Sequence, residues 1–321
     1  MTVTVPRWLR RASHGPRLLW QIARWGVPPR ALLFGPLSLG DDLLCTAVLR
    51  EARRRGEPFA MFTARPELFA GNPDPMRLLP IDDYFIAAVR RFGAHVVQPY
   101  YVRDDPRDGQ RDRLPGRHII AEMCALAGLH GEIALRPHFS LTESERAAGR
   151  LFPRQIALQS SGLAAAIPYD SKEWGPERFA EVARQLAPHA NLVQLGAVSD
   201  YALPVDTDLR GGTTVRQAAA ILAGSDVFVG LEGFLTHLAR AVDCPAVVVM
   251  GGRAPPEIFG YSAYRNVFAF PDCAPCSRRT GCPHDMKCMT AITPRAVAAA
   301  ALETLARPSS RPLPHSTAFL P

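Results

Sequence analysis

The stretch Val227–Gly252, VFVGLEGFLTHLARAVDCPAVVVMGG, decides how this chain folds. It reads as strand, tight loop, short helix, strand. Val227–Val229 and Ala246–Met250 are all-apolar runs, the second closed by Gly251-Gly252. Strands apolar on both faces belong to parallel sheets covered by helices on both sides. Between them Leu235, Leu238, Ala239 and Val242 recur at i, i+3, i+4, i+7, one buried helical face. In such sheets ligands sit beyond the carboxyl ends of the strands, where helix N-termini turn free N–H groups and a positive dipole end toward an anion. Thr236 and His237 lie in that first turn, so the spacing points to a phosphate. An ordinary crossover helix would carry the same pattern.

Working outward, 321 residues allow two domains with ample core, and 47% hydrophobic with 21% charged residues exclude a disordered chain. Net charge is +7, and of the 37 basic residues only Lys172 and Lys287 are lysines. A lysine that persists among so many arginines is notable, because the two differ at a phosphate. The positive balance suits nucleotides or an anionic membrane surface. No basic motif interleaved with aromatics is present, so no nucleic-acid partner is expected. Seven cysteines, three of them (Cys45, Cys124, Cys244) in apolar contexts, fit a reducing cytoplasm. No transmembrane run and no signal peptide is apparent.

Four segments follow from composition and periodicity. Residues 1–30 are basic and rich in Trp and Arg. Within 7–25 Leu18, Ile22 and Trp25 share a helical face beside Arg17 and Arg24. That pattern suits either a membrane interface or an N-terminal helix packed on its own domain, with Gly15-Pro16 as an interruption. Residues 31–152 form a first Rossmann-like unit. Ala31–Phe34 reads as a strand that runs into a glycine loop and then Asp41-Asp42 at the start of a helix. One aspartate suffices as a cap, and two in a row leave the other free to face the cleft. Strands are expected at Phe59–Thr63, Tyr84–Ala87 and His95–Val102, with a polar loop at Arg103–Gly116. Residues 153–306 form a second such unit. Gln155–Gln159 reads as a strand, Ser160-Ser161-Gly162 as a loop, and the helix after Lys172-Glu173-Trp174-Gly175-Pro176 has Pro at its first position. Residues 307–321 read as a Pro/Ser-rich disordered tail. No G-x-G-x-x-G is present, which disfavours a dinucleotide fold.

Four motifs in order resemble glycosyltransferase family 9, the bacterial heptosyltransferases. Gly40-Asp41-Asp42-Leu43-Leu44-Cys45-Thr46 resembles the family's G-D-x-L-L-x-T start, and Lys172–Phe179 its K-x-W-P-x-E-R-F segment with one extra glycine. Val229–Leu238 resembles its V-G-x-D-S-G-L-x-H-L segment, and Cys273–Met289 its cysteine-rich stretch. Glu232, Gly233 and Phe234 depart from the usual Asp, Ser/Thr and Gly, which marks a side branch. The resemblance implies a GT-B fold, with two Rossmann-like α/β/α domains facing across a cleft. It also implies inverting transfer of a sugar, by expectation a heptose, from an ADP-sugar to a hydroxyl of a glycan, lipid-linked or small-molecule acceptor. Asp41 matches the family's base, facing the cleft, with charge stabilisation of the sugar as the alternative role, and Asp42 is left as the cap. Lys172 matches the diphosphate lysine. Thr236 and His237, with the N–H groups of Phe234 and Leu235 beyond Gly233, would cradle phosphate oxygens, and Glu232 would accept from a ribose or sugar hydroxyl pair. Ser160 and Ser161 are further donor contacts.

Cys273, Cys276, Cys282 and Cys288, with His284 among them, suggest a structural zinc or iron site, because C-x₂-C presents two thiolates to one tetrahedral ion. The other reading is a set of reduced, partly buried thiols. Catalysis itself is expected to need no cofactor. Two other functions share these residues: a GT-B sugar-nucleotide epimerase and a non-catalytic nucleotide-sugar-binding protein. A cytoplasmic enzyme, peripheral at the inner membrane, fits the whole.

Overall fold

The computed structural model describes residues 7–35 and 39–307, so the expected tail at 308–321 lies outside the described residues. The chain order in the first half is α1 (Arg7–Trp25), β1 (Arg30–Leu33), α2 (Leu39–Arg54), β2 (Ala60–Phe62), β3 (Leu78–Leu79), α3 (Asp83–Arg91), β4 (His95–Val97), β5 (Arg103–Asp105), β6 (Asp108–Arg113), α4 (Ile119–Leu126) and α5 (Glu143–Ala148). The second half runs β7 (Gln155–Leu158), α6 (Pro176–Leu186), β8 (Asn191–Gln194), β9 (Thr207–Asp208), α7 (Val215–Gly224), β10 (Val227–Leu231), α8 (Phe234–Ala241), β11 (Ala246–Met250), α9 (Pro256–Phe259), β12 (Arg265–Phe268), α10 (Lys287–Thr290) and α11 (Pro294–Leu305).

Two parallel sheets result. The first has the order β3-β2-β1-β4 and the second β12-β11-β10-β7-β8-β9. β10 and β11 are buried along their whole length, as an all-apolar run requires. In each sheet the chain winds outward one way and then returns to the other side of its first strand. That reversal falls between β1 and β4 in one sheet and between β7 and β10 in the other. A crevice opens at the carboxyl ends of the strands at such a point.

The halves are not independent globules. One apolar cluster joins Leu32, Leu43 and Val97 of the first half to Phe228, Leu235 and Phe259 of the second. The start of α2 meets the start of α8. A Cβ built on Gly40 would lie 3.8 Å from the Phe234 Cα and 3.8 Å from the His237 ring. Gly224 and Gly149 face each other so closely that a Cβ on Gly149 would meet the Ala220 carbonyl at 1.8 Å, so only glycine lets α7 approach there.

Four local expectations need correction. Tyr84–Ala87 is helical, in α3, because the Asp82 side chain accepts from the Phe85 N–H and caps the turn, while Phe85, Ile86 and Val89 bury one face. The strand expected over His95–Val102 ends at Val97. The polar loop at Arg103–Gly116 contains the β5–β6 hairpin. Helix α1 runs unbroken through Pro16, and its Leu18, Ile22 and Trp25 pack into the cluster under β1 and α3. Of the two readings of that stripe, packing on its own domain is the one seen, with Leu19 and Trp20 left exposed and the Arg24 guanidinium 5.3 Å from the Trp20 ring centre. Among the described residues no helix is long and apolar enough to cross a membrane.

Candidate active site

Asp41 sits in the first turn of α2, directly beyond β1. The loop after β4 carries Tyr101, whose hydroxyl donates to the Asp41 carboxylate at 2.6 Å. Burial and the Asp41 charge push the Tyr101 phenol well above its ordinary range, so it stays a donor. Tyr101 also reaches the other half, edge-on to Phe259 at 6.4 Å between centroids. The residues on either side of the first crevice are thus tied together. Asp42 does something else. It is fully buried and accepts from Thr63 at 3.1 Å and Arg65 at 3.2 Å instead of capping the helix. Burial raises its carboxyl to about 6, against the pull of Arg65.

The second crevice is built from the loops after β7 and β10. Lys172 ends a short turn at Asp170–Lys172 and forms an ion pair with Glu232 at 2.7 Å. The loop is fixed by Trp174, whose indole N–H donates to the Ile292 carbonyl at 3.1 Å and whose ring meets Phe179 edge-on. Gly175 follows at φ 101°, a conformation that favours glycine, and Pro176 opens α6. The extra glycine in this motif is therefore the hinge between anchor and helix. The Lys172 ammonium lies 4.7 Å from the Tyr169 ring centre and 5.8 Å from that of Phe259. Burial lowers its pKa, with Glu232 opposing. For Glu232 burial acts upward, yet Lys172 and Arg253 hold its carboxyl below the usual range. The pair is the anchor of this side. Glu232 faces Lys172 in this state, not an open hydroxyl subsite.

The remaining expected donor residues surround this pair in different ways. Gly233 precedes α8, and the first N–H groups of Phe234 and Leu235 carry no partner within the helix. Thr236 is buried and its hydroxyl donates back to the Leu231 carbonyl at 2.7 Å, shaping the turn. His237 Nδ1 is 2.8 Å from the Tyr261 hydroxyl, and burial lowers the imidazole to about 4, so it is neutral. Ser160 is buried, donating to the Tyr201 carbonyl at 2.6 Å and accepting from Gln194. Ser161 accepts from the Leu163 N–H at 3.1 Å. Glu173 accepts from the Gly162 N–H at 2.7 Å, which closes the same loop.

Tyr101, Tyr169, Arg253 and Phe259 were not singled out in the sequence. Arg253, 4% exposed, follows β11 and lines the pocket that Lys172, Glu232 and Phe259 share. That pocket is all but closed, about 10 Å³, far below the ~300–1,000 Å³ typical of ligand sites. It must widen before a nucleotide enters. A wider depression of about 520 Å³ lies along β12 and α11, lined by Tyr264, Arg265 and Phe268, at the outer edge of the sheet and not at either crevice.

The four-cysteine site expected at Cys273, Cys276, Cys282 and Cys288 does not form. Among the described residues no group of three or more His, Cys, Asp or Glu is placed to hold a metal ion. The cause is packing. Cys288 turns into the second apolar cluster beside Met286, against Gly252. Burial raises its thiol. These cysteines are free and half-buried.

Two parallel sheets whose crevices face each other, one presenting a carboxylate and the other a lysine, define an α/β protein of the GT-B fold. The profile of glycosyltransferase family 9 (heptosyltransferase) matches residues 113–285, more than half of the chain, and the chain belongs to that family of enzymes. Solved structures share the fold. The family 9 glycosyl transferase of Veillonella parvula DSM 2008 is 15% identical with a TM-score of 0.64, covering 86% of this chain and 97% of that one. E. coli ADP-heptose LPS heptosyltransferase II is 17% identical with a TM-score of 0.63, covering 86% and 98%. TibC of enterotoxigenic E. coli H10407, an iron-containing dodecameric heptosyltransferase solved with ADP-D-beta-D-heptose, is 16% identical with a TM-score of 0.67, covering 87% and 76%. No curated protein matches the chain by sequence.

Proposed function

We propose that this glycosyltransferase moves a heptose from an ADP-activated donor to a hydroxyl of a glycan or lipid-linked acceptor, with inversion. The observation that carries the reading is the opposition of Asp41 at one crevice to the Lys172–Glu232 pair at the other. Residues 31–152 would hold the acceptor and residues 153–306 the donor. Asp41 would take the acceptor proton as the new C–O bond forms and the bond from the anomeric carbon to the diphosphate breaks. Tyr101 orients that carboxylate without neutralising it. Lys172 and the open N–H groups at the start of α8 would stabilise the departing diphosphate, the charge that grows most in the transition state. Glu232 positions Lys172, while Thr236, Ser160 and Ser161 hold the loops that shape the donor pocket, with neutral His237 beneath them. The ADP-heptose bound in TibC and named for the E. coli heptosyltransferase supports the choice of donor. Exposed Leu19 and Trp20 with Arg24 suit contact with an anionic membrane where a lipid-linked acceptor would reside, consistent with a cytoplasmic enzyme at the inner membrane.

The test is a thermal-shift panel of ADP, UDP, GDP and CDP on the wild type and on Lys172→Ala. A nucleotide at 100 times its Kd stabilises the fold by about 2.7 kcal/mol. A shift with ADP alone, weakened in the variant, is expected. A shift with UDP alone, or a silent panel, would overturn the donor assignment.

A further inference from the structure

The β5–β6 hairpin belongs to the first half in sequence but is stitched to the second half in space. The Asp112 N–H donates to the Ser277 carbonyl at 2.9 Å, and the Arg279 N–H to the Gln110 carbonyl at 2.8 Å. Arg279 pairs with Asp104 at 2.9 Å, and Arg278 with Asp108 at 3.3 Å. At the inner end of the hairpin Asp112, 4% exposed, forms an ion pair with the buried Arg253. That guanidinium lies 4.9 Å from the ring centres of both Tyr169 and Phe259, the same two rings that flank Lys172. Its Nε has no hydrogen-bond partner among the described residues. A cation buried beside Lys172, held by one carboxylate and with a donor to spare, is under-used. A buried charge of this kind is stable only when its remaining donors find acceptors.

Resting on the ADP-donor reading above, we propose that Arg253 is a second cation for the donor diphosphate. The Asp112 carboxylate occupies the place of a phosphate on Arg253, and the hairpin is a strap that the donor displaces. The charges support the exchange. Lys172 and Arg253 now face Glu232 and Asp112, and a diphosphate replacing Asp112 brings more negative charge and a bidentate match for the guanidinium fork. The outermost tie of the strap, Arg279 to Asp104, is weak enough to yield, while Arg279 also reaches the buried Asp112 at 3.4 Å. Asp104 is 77% exposed, and exposed pairs contribute little and are screened by salt. Displacement would also widen the undersized pocket. The segment Gly251-Gly252-Arg253 is shaped for this approach: a Cβ on Gly252 would lie 2.8 Å from the Ala274 side chain, so the loop after β11 runs tight against the cysteine-rich segment that holds the hairpin.

The experiment is calorimetric titration of ADP and adenosine into the wild type, Arg253→Gln, Arg253→Lys and Asp112→Asn. Arg253→Gln should weaken ADP by roughly ten- to hundredfold, the scale of one charged hydrogen-bonding group, and adenosine by no more than about twofold. Arg253→Lys should recover part of the loss. Asp112→Asn, which removes the stand-in charge, should tighten ADP. Equal ADP affinity in the wild type and Arg253→Gln would overturn the assignment while leaving the donor reading intact. Parallel loss of ADP and adenosine would mark a folding defect and overturn it as well. Unchanged or weaker ADP binding in Asp112→Asn would remove the strap. A wild type that ignores ADP but binds UDP refutes the donor reading instead, and the same variants titrated with UDP and uridine then decide the role of Arg253.

Discussion

Asp41 and Glu232 occupy equivalent places: each follows a strand beside its sheet's crevice and stands at the start of a helix. Their partners make them different. Asp41 accepts from a neutral phenol, which orients the carboxylate. Glu232 is held by an ammonium, with a guanidinium nearby, and its carboxyl is drawn below the ordinary range despite burial. A carboxylate so stabilised is a poor proton acceptor near neutral pH. One backbone device therefore presents the proposed base on one side and an ion-paired anchor on the other, and the difference lies in residues far away in sequence.

The sharpest way to break this contrast is to neutralise each acid in turn. Asp41→Asn should lower kcat by roughly 10²–10⁴-fold, the usual yield of general base catalysis, with ADP affinity unchanged. Initial rates with ADP-heptose and calorimetry with ADP check both parts. A variant with near-normal turnover sinks the assigned role. Lys172→Ala should lower kcat/KM by roughly ten- to hundredfold and weaken ADP in parallel, since one charged hydrogen-bond donor is worth about 1.5–3 kcal/mol.

What was legible in the sequence explains why this contrast had to wait for the structure. Both strand–loop–helix starts were readable, because apolar runs and helical spacing are local: β10, α8 and β11 lie where Val227–Gly252 places them. Tyr84–Ala87 failed because four apolar or aromatic residues fit a strand as well as a helix, and only the Asp82 cap decides it. Tyr101 and Arg253 carry no motif. They matter because the chain reversal brings β4 beside β1 and because the hairpin crosses to the second half, both long-range facts. The metal reading of the four cysteines, unlike that of reduced, partly buried thiols, failed from the same cause. Spacing counts residues, whereas the fold turns Cys288 into an apolar cluster.

Glu232→Gln sharpens the anchor role through pH. Burial lowers the Lys172 pKa and the Glu232 charge opposes that fall. Without Glu232 the ammonium loses its proton at lower pH, so the alkaline limb of ADP binding should move toward neutrality. Titrations of ADP between pH 6 and 10 on both proteins test this. An unmoved limb would mean that the pair does not govern the lysine. A smaller effect is expected of Tyr101→Phe. Removing one hydrogen bond worth about 0.5–1.5 kcal/mol should lower kcat a few-fold and leave ADP affinity alone, whereas a loss comparable to Asp41→Asn would give the phenol a proton-transfer role.

The smallest expected effect concerns the seam beneath Glu232, where His118 of the first half and His237 of the second both meet the Tyr261 ring, at 5.3 and 5.7 Å between centroids. Burial lowers each imidazole to about 4, against about 6.5 in an unfolded chain. Between those values the unfolded state binds protons that the folded state refuses. The stability associated with neutral His118 and His237 is therefore complete above about pH 6.5 and is lost as pH falls toward 4. Each histidine contributes a slope of up to about 1.4 kcal/mol per pH unit. Asp42, raised to about 6 by burial, acts with the opposite sign, because its folded form keeps a proton that the unfolded chain releases above 3.8. Two histidines against one aspartate, joined by half-buried His138, also lowered to about 4, leave a net loss on acidification. Urea unfolding at pH 7, 6 and 5 should show falling stability, and His237→Gln should flatten the slope by up to one proton. A slope that survives the substitution unchanged would place the acid sensitivity elsewhere and detach this seam from the pH response of the enzyme.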